Sequence, residues 1–243
     1  LPIWIKTYLW VMYFLSAHKA KNVSTFSNNS KKDIARFFKV RLDKIYVIPL
    51  AASEGIVRKR ASKHKQYIVV VPGTFIPRKN ILAAGEAYRQ LPASLKERYL
   101  LAIVGHPQGE YFESVKDTIC KLNLEQNVIL TGRISDQELS QLYSHAQLFV
   151  CPSLYEGFGL TILEAMKSGV PTISYNNSSL PEVVGDAGIL VNNVAELSQA
   201  MQNVLENKEL QNKLRKSGLA RAAKYTWKNT AIEFSGVLSK IPN

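Results

Sequence analysis

The chain has 243 residues, 46% hydrophobic and 21% charged, which is the composition of an ordinary soluble globular protein and excludes a low-complexity chain. Its net charge is +12, and residues 1–66 carry fourteen Lys and Arg against three Asp and Glu. This basic block favours an anionic membrane surface, with a solvated basic face as the alternative. Nucleic acid ranks last, because no RNA-binding motif accompanies the charge.

The N-terminus holds an apolar run from Thr7 to Ala17, which is shorter than the roughly 20 residues that a bilayer-spanning helix needs. It also lacks the basic start and the cleavage pattern of a signal peptide. We therefore predict a buried or interfacial helix. Because the first residue is Leu1 and not a methionine, we interpret the chain as a fragment, or as a trimmed or processed product.

The cysteines and histidines give no sign of a metal or redox centre. Cys120 and Cys151 are the only cysteines, and their spacing fits neither a metal site nor a redox motif. Cys151 lies in the apolar run "LFVCPS", where a buried, reduced thiol is expected, and this favours a cytoplasmic protein. The four histidines form no close pair, so no metal site is predicted.

After the first helix, the pattern predicts a strand in "KNVSTFS", a helix in "NNSKKDIARFFKV" capped by Ser30, and a strand in "KIYVIPL". Residues 51–66 are basic and lack clear periodicity, so we interpret them as a linker. The first predicted domain accordingly comprises residues 1–60, with the linker included.

From Tyr67 onward, short β-branched apolar runs alternate with helical segments of about 10–15 residues. Runs as continuous as "YIVVVPG" are typical of parallel strands covered on both faces. Capping boxes are predicted in "SLKE" and at Ser135–Glu138, and a helix break is predicted near Asn207. We therefore predict a doubly wound α/β domain over residues 61–225, followed by a last amphipathic helix over 226–243. Ligands of such sheets bind at the carboxyl ends of the strands.

Three predicted loops follow strand ends of this sheet. In "VPGTFIPRKN", Gly73 permits a close backbone approach and Thr74 offers a hydroxyl, while Arg78 and Lys79 precede a helix start. Two cations at a helix start suit a pyrophosphate. A basic surface turn is the equally weighted alternative from this loop alone.

The second loop is "TGRISD". Gly132 permits a turn after which the backbone of Arg133 and Ile134 faces the crevice, where an amide and a carbonyl suit the edge of a nucleobase. Taken alone, a plain strand-to-helix turn capped by Ser135 is the favoured interpretation.

The third loop lies in "SLYEGFGLTILEAMKSG". Gly157 and Gly159 leave the amides at a helix N-terminus open to an anion, with Glu156 before the turn and Glu164 about one turn into the helix. Carboxylates accept hydrogen bonds from vicinal hydroxyls, as found on sugars and ribose. Acids beside phosphate would be repulsive, so we expect them to bind hydroxyls while amides and cations hold phosphates. A solvated helix residue is the alternative for Glu164 alone.

"EGFGLTILE" resembles the E-x7-E signature of retaining GT-B-fold glycosyltransferases of family 4 (group 1). The segments "PRKN", "TGRISDQELSQLYSHAQLFVCPS", "EAMKSGVPTI" and "LPEVVGDAGILV" resemble the same family in the same order. The resemblance covers the chain from about Ser24 to its C-terminus. It implies a Rossmann-like, C-terminal half of a GT-B fold that binds a nucleotide-diphosphate sugar without a metal or other cofactor.

The resemblance implies a role for each matching residue. Glu156 would contact hydroxyls of the transferred sugar, Glu164 would hold the ribose, Arg78 and Lys79 would neutralise the diphosphate, and Ile134 would contact the base. The remaining expected donor contacts are Gly73, Thr74, Arg133, Gly157, Phe158, Gly159, Leu160 and Thr161. The expected donor is GDP-mannose or a UDP-sugar. The expected acceptor is a polysaccharide or a glycolipid, and the expected location is the cytoplasm or the inner membrane face.

Two departures from the family pattern bear on function. Thr74 stands where an arginine is common, which we interpret as a subgroup mark. Residues 1–50 match only the last elements of the family's acceptor domain, so that domain is expected elsewhere, either on missing polypeptide or on a partner subunit. A non-catalytic sugar-nucleotide-binding subunit and an epimerase of the same fold are the alternative functions.

Overall fold

The computed structural model describes residues 2–55 and 66–240. Up to residue 55, its elements are α1 (Ile3–Lys19), β1 (Val23–Thr25), α2 (Asn28–Phe38) and β2 (Ile45–Val47). From residue 66 they are β3 (Gln66–Thr74), α3 (Ile81–Arg89), α4 (Ala93–Arg98), β4 (Tyr99–His106), α5 (Glu110–Lys121), β5 (Val128–Gly132), α6 (Asp136–His145), β6 (Ala146–Cys151), α7 (Leu160–Lys167), β7 (Thr172–Tyr175), α8 (Leu180–Val184), β8 (Ile189–Val191), α9 (Val194–Glu206), α10 (Lys208–Ala222) and α11 (Trp227–Leu238).

Contacts divide the chain into two units, with breaks at Ala51/Ala52 and Lys224/Tyr225. We call Ala52–Lys224 the central unit, and the two flanking parts together the terminal unit. The predicted boundary at residue 60 lies among residues 56–65, outside the described residues. The predicted domain bounds stay predictions.

The terminal unit contains a small parallel sheet. Strands β1 and β2 pair in register from Val23↔Ile45 to Thr25↔Val47. Helix α11 is joined to these elements by two hydrogen bonds, Thr230 Oγ1 to the Pro49 carbonyl at 2.7 Å and Asn22 Nδ2 to the Val237 carbonyl at 3.3 Å. Helix α11 therefore belongs to the same unit as β1 and β2.

Helix α1 extends beyond the predicted apolar run at both ends. None of its described side chains is buried, and Trp4 remains 70% exposed and Trp10 48% exposed. Of the two predicted alternatives, the buried helix is therefore wrong for this structure, and the interfacial helix stays a prediction. Among residues 2–55 and 66–240, no helix combines the length and apolar character that crossing a bilayer requires.

The central unit is built on a six-stranded sheet in which every pairing is parallel, in the order β5-β4-β3-β6-β7-β8. Its central strands are buried almost throughout, as the continuous Val- and Ile-rich runs predict for a sheet covered by helices on both faces. The predicted doubly wound α/β fold is confirmed.

A proline inside the central strand β3 has a local explanation. The pairing of β3 with β6 ends at Val69, and the register with β4 shifts between Val70 and Gly73. Pro72 lies in that irregular part, where a missing N–H costs no regular ladder bond. The carboxyl end of β3 thereby leaves the ladder early and starts a loop.

The helix caps differ in part from the predictions. The side chain of Ser27, not of Ser30, caps α2 by accepting the N–H of Ser30, so the helix starts earlier than predicted. The predicted capping box in "SLKE" is wrong, because α4 begins after Pro92 and has no side-chain cap. The Ser135–Glu138 capping box and the break at Asn207 are confirmed.

Candidate functional site

The site lies at the carboxyl ends of β3 and β6. These two strands are neighbours at the centre of the sheet, although β3 is followed in the chain by β4 and β6 by β7. The connections therefore leave the sheet in opposite directions at this point. A parallel sheet of this kind opens a crevice there, because the two loops separate.

The loop after β3 presents Arg78 and Lys79 from a short 3-10 turn, Pro77–Lys79. Asn80 follows in the left-handed conformation, at a φ of 50°, and its side chain donates to the Pro152 carbonyl at 3.0 Å. The Leu154 N–H donates to the Arg78 carbonyl at 2.8 Å. These bonds tie the loop after β3 to the loop after β6, and so fix the bases of both cationic side chains.

Glu156 meets both cations. Its Oε1 lies 2.7 Å from Lys79 Nζ, and its Oε2 lies 3.4 Å from Arg78 Nη1. The side chains of Lys79 and Glu156 are each only 15% exposed, whereas that of Arg78 is 43% exposed. Arg78 also donates to the Tyr155 carbonyl. The two predicted cations and the first predicted acid therefore form one cluster.

The loop between β7 and α8, which the sequence reasoning missed, holds the backbone of Glu156. The Glu156 N–H donates to Ser178 Oγ at 2.9 Å, and the Ser179 hydroxyl lies 2.8 Å from the Glu156 carbonyl and 2.9 Å from that of Phe158. Asn177 Nδ2 donates to the Ser153 carbonyl at 3.2 Å. Ser179 is fully buried, and Ser178 has a φ of 49°, which is rare for a residue with a side chain. The loop before α8 thus fixes the position of Glu156.

The helix start after Glu156 has the geometry that the glycines predict. Gly159 adopts a φ of 117° immediately before α7, a conformation that strains other residues. A Cβ there would also lie 3.4 Å from Leu180 Cδ2. Phe158 is buried, whereas Gly157 and Leu160 are exposed and Thr161 is half-buried. The first amides of α7 therefore follow an exposed turn beside the Glu156 cluster.

Glu164 is half-buried on α7, so the solvated-residue alternative does not hold. The pKa of its carboxyl is raised to about 7, mainly by burial and then by the charge of Asp136, while a backbone hydrogen bond from Ser53 and the charge of Lys167 act in the opposite direction. Lys167 Nζ also donates to the Ser53 carbonyl at 2.8 Å. Sequence reasoning did not identify Ser53, Asp136 or Lys167 as neighbours of this acid.

Tyr143 on α6 interacts electrostatically with Glu164. The side chain is buried, and its hydroxyl has no hydrogen-bond partner among the residues that the structure describes. Burial, and then the charge of Glu164, raises the pKa of this hydroxyl well above its ordinary value. A buried unpaired hydroxyl costs stability, so the surroundings of Glu164 are polar but incompletely satisfied.

Gly73 and Thr74 end strand β3 in exposed positions. Gly73 has a φ of 73°, and a Cβ there would meet no atom within 4 Å, so the space above it is open. Gly105, its partner on β4, is tight instead, because a Cβ would lie 3.2 Å from the Gly73 carbonyl oxygen. An open surface thus adjoins this backbone, as expected of a loop that a ligand approaches.

Arg133 is exposed, and the Ile134 side chain lines a groove of about 410 Å³ on α6 together with Leu142 and Gln141. No described contact joins these two residues to the Glu156 cluster. Their contact with a nucleobase stays a prediction. Cys151 is buried at the end of β6, as predicted, and burial raises the pKa of its thiol.

Within the described parts of the chain, no three or more His, Cys, Asp or Glu side chains are grouped as ligands of a metal ion. The charge that balances Glu156 comes from Arg78 and Lys79. Metal independence nevertheless stays a prediction.

The fold is that of one α/β half of a GT-B enzyme, with a charged cluster at the carboxyl ends of its two central strands. Residues 52–221 match the family described as Glycosyl transferases group 1, so the chain belongs to that family. It is 34% identical over 231 residues to O-antigen chain mannosyltransferase B of Escherichia coli, covering 90% of this chain and 60% of that protein. It is 27% identical to the MMP alpha-(1->4)-mannosyltransferase of Mycolicibacterium hassiacum, covering 92% of this chain and 55% of that protein.

Solved structures show the same fold at low sequence identity. HepE from Anabaena, in complex with UDP and glucose, superposes with a TM-score of 0.85 at 20% identity, over 97% of this chain and 67% of that one. Sucrose-phosphate synthase from Thermosynechococcus elongatus gives a TM-score of 0.83 at 23% identity, over 95% and 61% of the two chains. The predicted GT-B fold and family are confirmed.

Proposed function

We propose that this chain is the donor-binding part of a retaining mannosyltransferase that takes mannose from a nucleotide-diphosphate sugar. The observation that carries the proposal is the cluster of Arg78, Lys79 and Glu156 at the carboxyl ends of the two central strands. Two cations fixed in a crevice suit a diphosphate, and a carboxylate beside them suits sugar hydroxyls.

The sugar is proposed from the relatives. The two named above are mannosyltransferases, and so is the serotype-specific WbdA of Escherichia coli, which is 33% identical over 230 residues. These names support transfer over the epimerase alternative, and they favour mannose over other hexoses. GDP-mannose is accordingly the proposed donor, and a UDP-sugar is the alternative.

In the proposed reaction, the bond between the sugar and the diphosphate breaks while charge grows on the departing phosphate. Lys79, Arg78 and the first amides of α7 stabilise that charge, and they stabilise it more in the transition state than in the ground state. The acceptor hydroxyl attacks the same face of the sugar, and a donor phosphate oxygen takes its proton. Glu156 orients the sugar and Glu164 the ribose.

The acceptor would bind to polypeptide outside this chain. The chain spans 60% of the length of O-antigen chain mannosyltransferase B, and the described terminal unit holds only a two-stranded parallel sheet. Parallel sheets are ordinarily larger and covered on both faces. We therefore propose that an acceptor half, on the same polypeptide or on a partner subunit, completes the enzyme. The proposed acceptor is a polysaccharide or a lipid-linked saccharide.

Nucleotide binding can be measured on the 243-residue chain itself. In a thermal-shift panel of GDP, UDP, ADP and dTDP with their sugars, we expect GDP and GDP-mannose to raise the melting temperature most. A ligand at 100 times its Kd stabilises the folded state by about 2.7 kcal/mol. If no nucleotide or nucleotide sugar raises the melting temperature, the proposed donor site is wrong, and a uniquely UDP-dependent shift would reassign the donor.

We further propose that the terminal unit contacts anionic membrane lipids at the inner membrane face. Helix α1 exposes Trp4, Tyr8 and Trp10, and aromatic side chains of this type favour the membrane interface. In residues 1–51, which belong to this unit, nine lysines and arginines stand against two acids. In co-sedimentation, we expect binding to vesicles with phosphatidylglycerol and much less to neutral vesicles, with loss in high salt. Equal binding to both kinds of vesicle would contradict the proposal.

A further inference from the structure

The candidate site contains an anion that belongs to the protein, the carboxylate of Glu156. Glu156 lies 2.7 Å from Lys79 and 3.4 Å from Arg78, the two cations proposed to hold the diphosphate. Because Lys79 and Glu156 are largely shielded from water, their attraction is screened less than that of an exposed pair. A diphosphate therefore competes with Glu156 for the same cations.

The backbone of Glu156 is held in place, so its carboxylate cannot move far from Lys79 and Arg78. Its N–H is bonded to Ser178 Oγ, and its carbonyl accepts from the buried hydroxyl of Ser179. Rotation of the side chain can move the carboxylate away from Lys79, but the fixed backbone keeps it beside the diphosphate. Once displaced, the carboxylate needs new hydrogen-bond donors, because an unpaired, partly buried charge is costly.

The intact donor and the spent nucleotide differ in what they offer this carboxylate. A nucleotide sugar brings hydroxyls, which donate to Glu156 and replace the lost ion pair. A free nucleoside diphosphate lacks the transferred sugar and carries more negative charge, so it leaves Glu156 unpaired and repelled.

On this basis, and resting on the proposed function, we propose that Glu156 determines selectivity between donor and product. Its carboxylate competes with the diphosphate for Lys79 and Arg78. Only a ligand that carries the transferred sugar supplies hydroxyls that compensate for displacing this carboxylate. The residue then does more than hold the sugar, because it also weakens the binding of spent nucleotide and speeds its release.

The test is calorimetric titration of the 243-residue chain and of Glu156→Gln with GDP and with GDP-mannose. The amide keeps the shape of the side chain but removes the competing charge. We expect Glu156→Gln to bind GDP about tenfold more tightly, and GDP-mannose with equal or lower affinity. The gain for GDP should shrink in 0.5 M salt (about a 4 Å screening length), since it is electrostatic.

Two matched variants separate this effect from a general change of charge. Glu113→Gln removes a carboxylate that pairs with Lys116 in an exposed i,i+3 pair, and we expect no change in GDP affinity. Glu164→Gln removes the acid proposed to bind ribose, and we expect weaker GDP binding, which is the opposite sign to Glu156→Gln.

The possible failures can be told apart. If the unmodified chain binds GDP but Glu156→Gln binds it no more tightly, the competition is refuted while the donor site stands. If the unmodified chain binds no nucleotide of the thermal-shift panel, both the inference and the proposed function fail. A gain for Glu113→Gln equal to that for Glu156→Gln would also refute the inference, because it would be a nonspecific effect of charge.

Discussion

Lys79→Ala is expected to lower turnover by about 10²–10³-fold, the usual effect of removing one preorganised electrostatic group from a transition state. Lys79 is the better-placed cation of the pair, since it is only 15% exposed and lies 2.7 Å from Glu156. An ammonium group that is shielded from water and held in this position can stabilise the growing charge of a leaving diphosphate without having to move. Arg78, 43% exposed and 3.4 Å from Glu156, should contribute less.

The loss of activity should exceed the loss of stability by far. Without Lys79, Glu156 keeps Arg78 nearby, so we expect the free energy of unfolding to fall by only about 1–2 kcal/mol. Turnover is to be measured with the acceptor half present, and GDP-mannose binding can be measured on the 243-residue chain. Lys116→Ala serves as the matched control, because it breaks an exposed ion pair on α5.

Unchanged turnover in Lys79→Ala with the fold intact would remove Lys79 from the mechanism. A fall in turnover matched by Lys116→Ala would point to a general effect of charge. If the main change is in KM and not in kcat, Lys79 binds donor and transition state equally well. We expect the opposite, a fall mainly in kcat.

Much of the central unit follows from the sequence, because buried parallel strands and amphipathic helices have distinct periodicities. The run around Val69 predicts a strand covered on both faces, and the strand is found there. The spacing of Glu156 and Glu164 around two glycines likewise predicts a helix start, and α7 begins at Leu160. Signals of this kind are local, since each depends on fewer than about ten neighbouring residues.

The ion pair between Lys79 and Glu156 does not follow from the sequence in the same way. The two residues are 77 positions apart and meet because β3 pairs with β6, which chain order alone does not fix. The role of Ser178 and Ser179 is hidden for another reason, since serines are common in loops. At α2, two serines three residues apart both satisfy the capping rule, and only the backbone geometry selects Ser27.

The predicted burial of α1 failed for a different reason. An apolar segment predicts burial only if the partner that covers it is present. Trp10, which lies in the predicted apolar run, is exposed in the described structure, so burial of that run would need a partner other than the described residues. The proposed acceptor half and the proposed membrane surface are two such partners.

Glu164 is expected to make donor binding depend on pH in the neutral range. Its pKa is raised to about 7, first by burial and then by the charge of Asp136, while Lys167 and the Ser53 backbone act in the opposite direction. The charge of Glu164 in turn helps to raise the pKa of Tyr143 on α6, whose buried hydroxyl has no hydrogen-bond partner among the described residues. Near pH 7, before a donor binds, Glu164 is therefore populated in both its neutral and its ionised form.

The ionised form is the better partner for ribose hydroxyls, because charge-assisted hydrogen bonds are stronger than neutral ones. Donor binding should then favour ionisation and release a proton, so affinity should rise between about pH 6 and pH 8. The folding stability of the protein without donor has the opposite dependence on pH. Since the folded-state pKa lies above the ordinary value of 4.5, ionisation costs stability, and the contribution of Glu164 to unfolding free energy decreases as pH rises from about 4.5 through 7.

Titration calorimetry of GDP-mannose at pH 6.5, in buffers that differ in ionisation enthalpy, measures the released proton directly, because a diphosphate esterified at both ends has no ionisation of its own near this pH. We expect the unmodified chain to release a fraction of a proton on binding. Glu164→Gln should release none, because it has no ionisable group at this position. Glu164→Gln should also flatten the rise of affinity with pH and the fall of melting temperature with pH. Proton release that persists in Glu164→Gln would assign the titration to another group, and affinity independent of pH in the unmodified chain would refute the role of Glu164 as an ionised ribose acceptor.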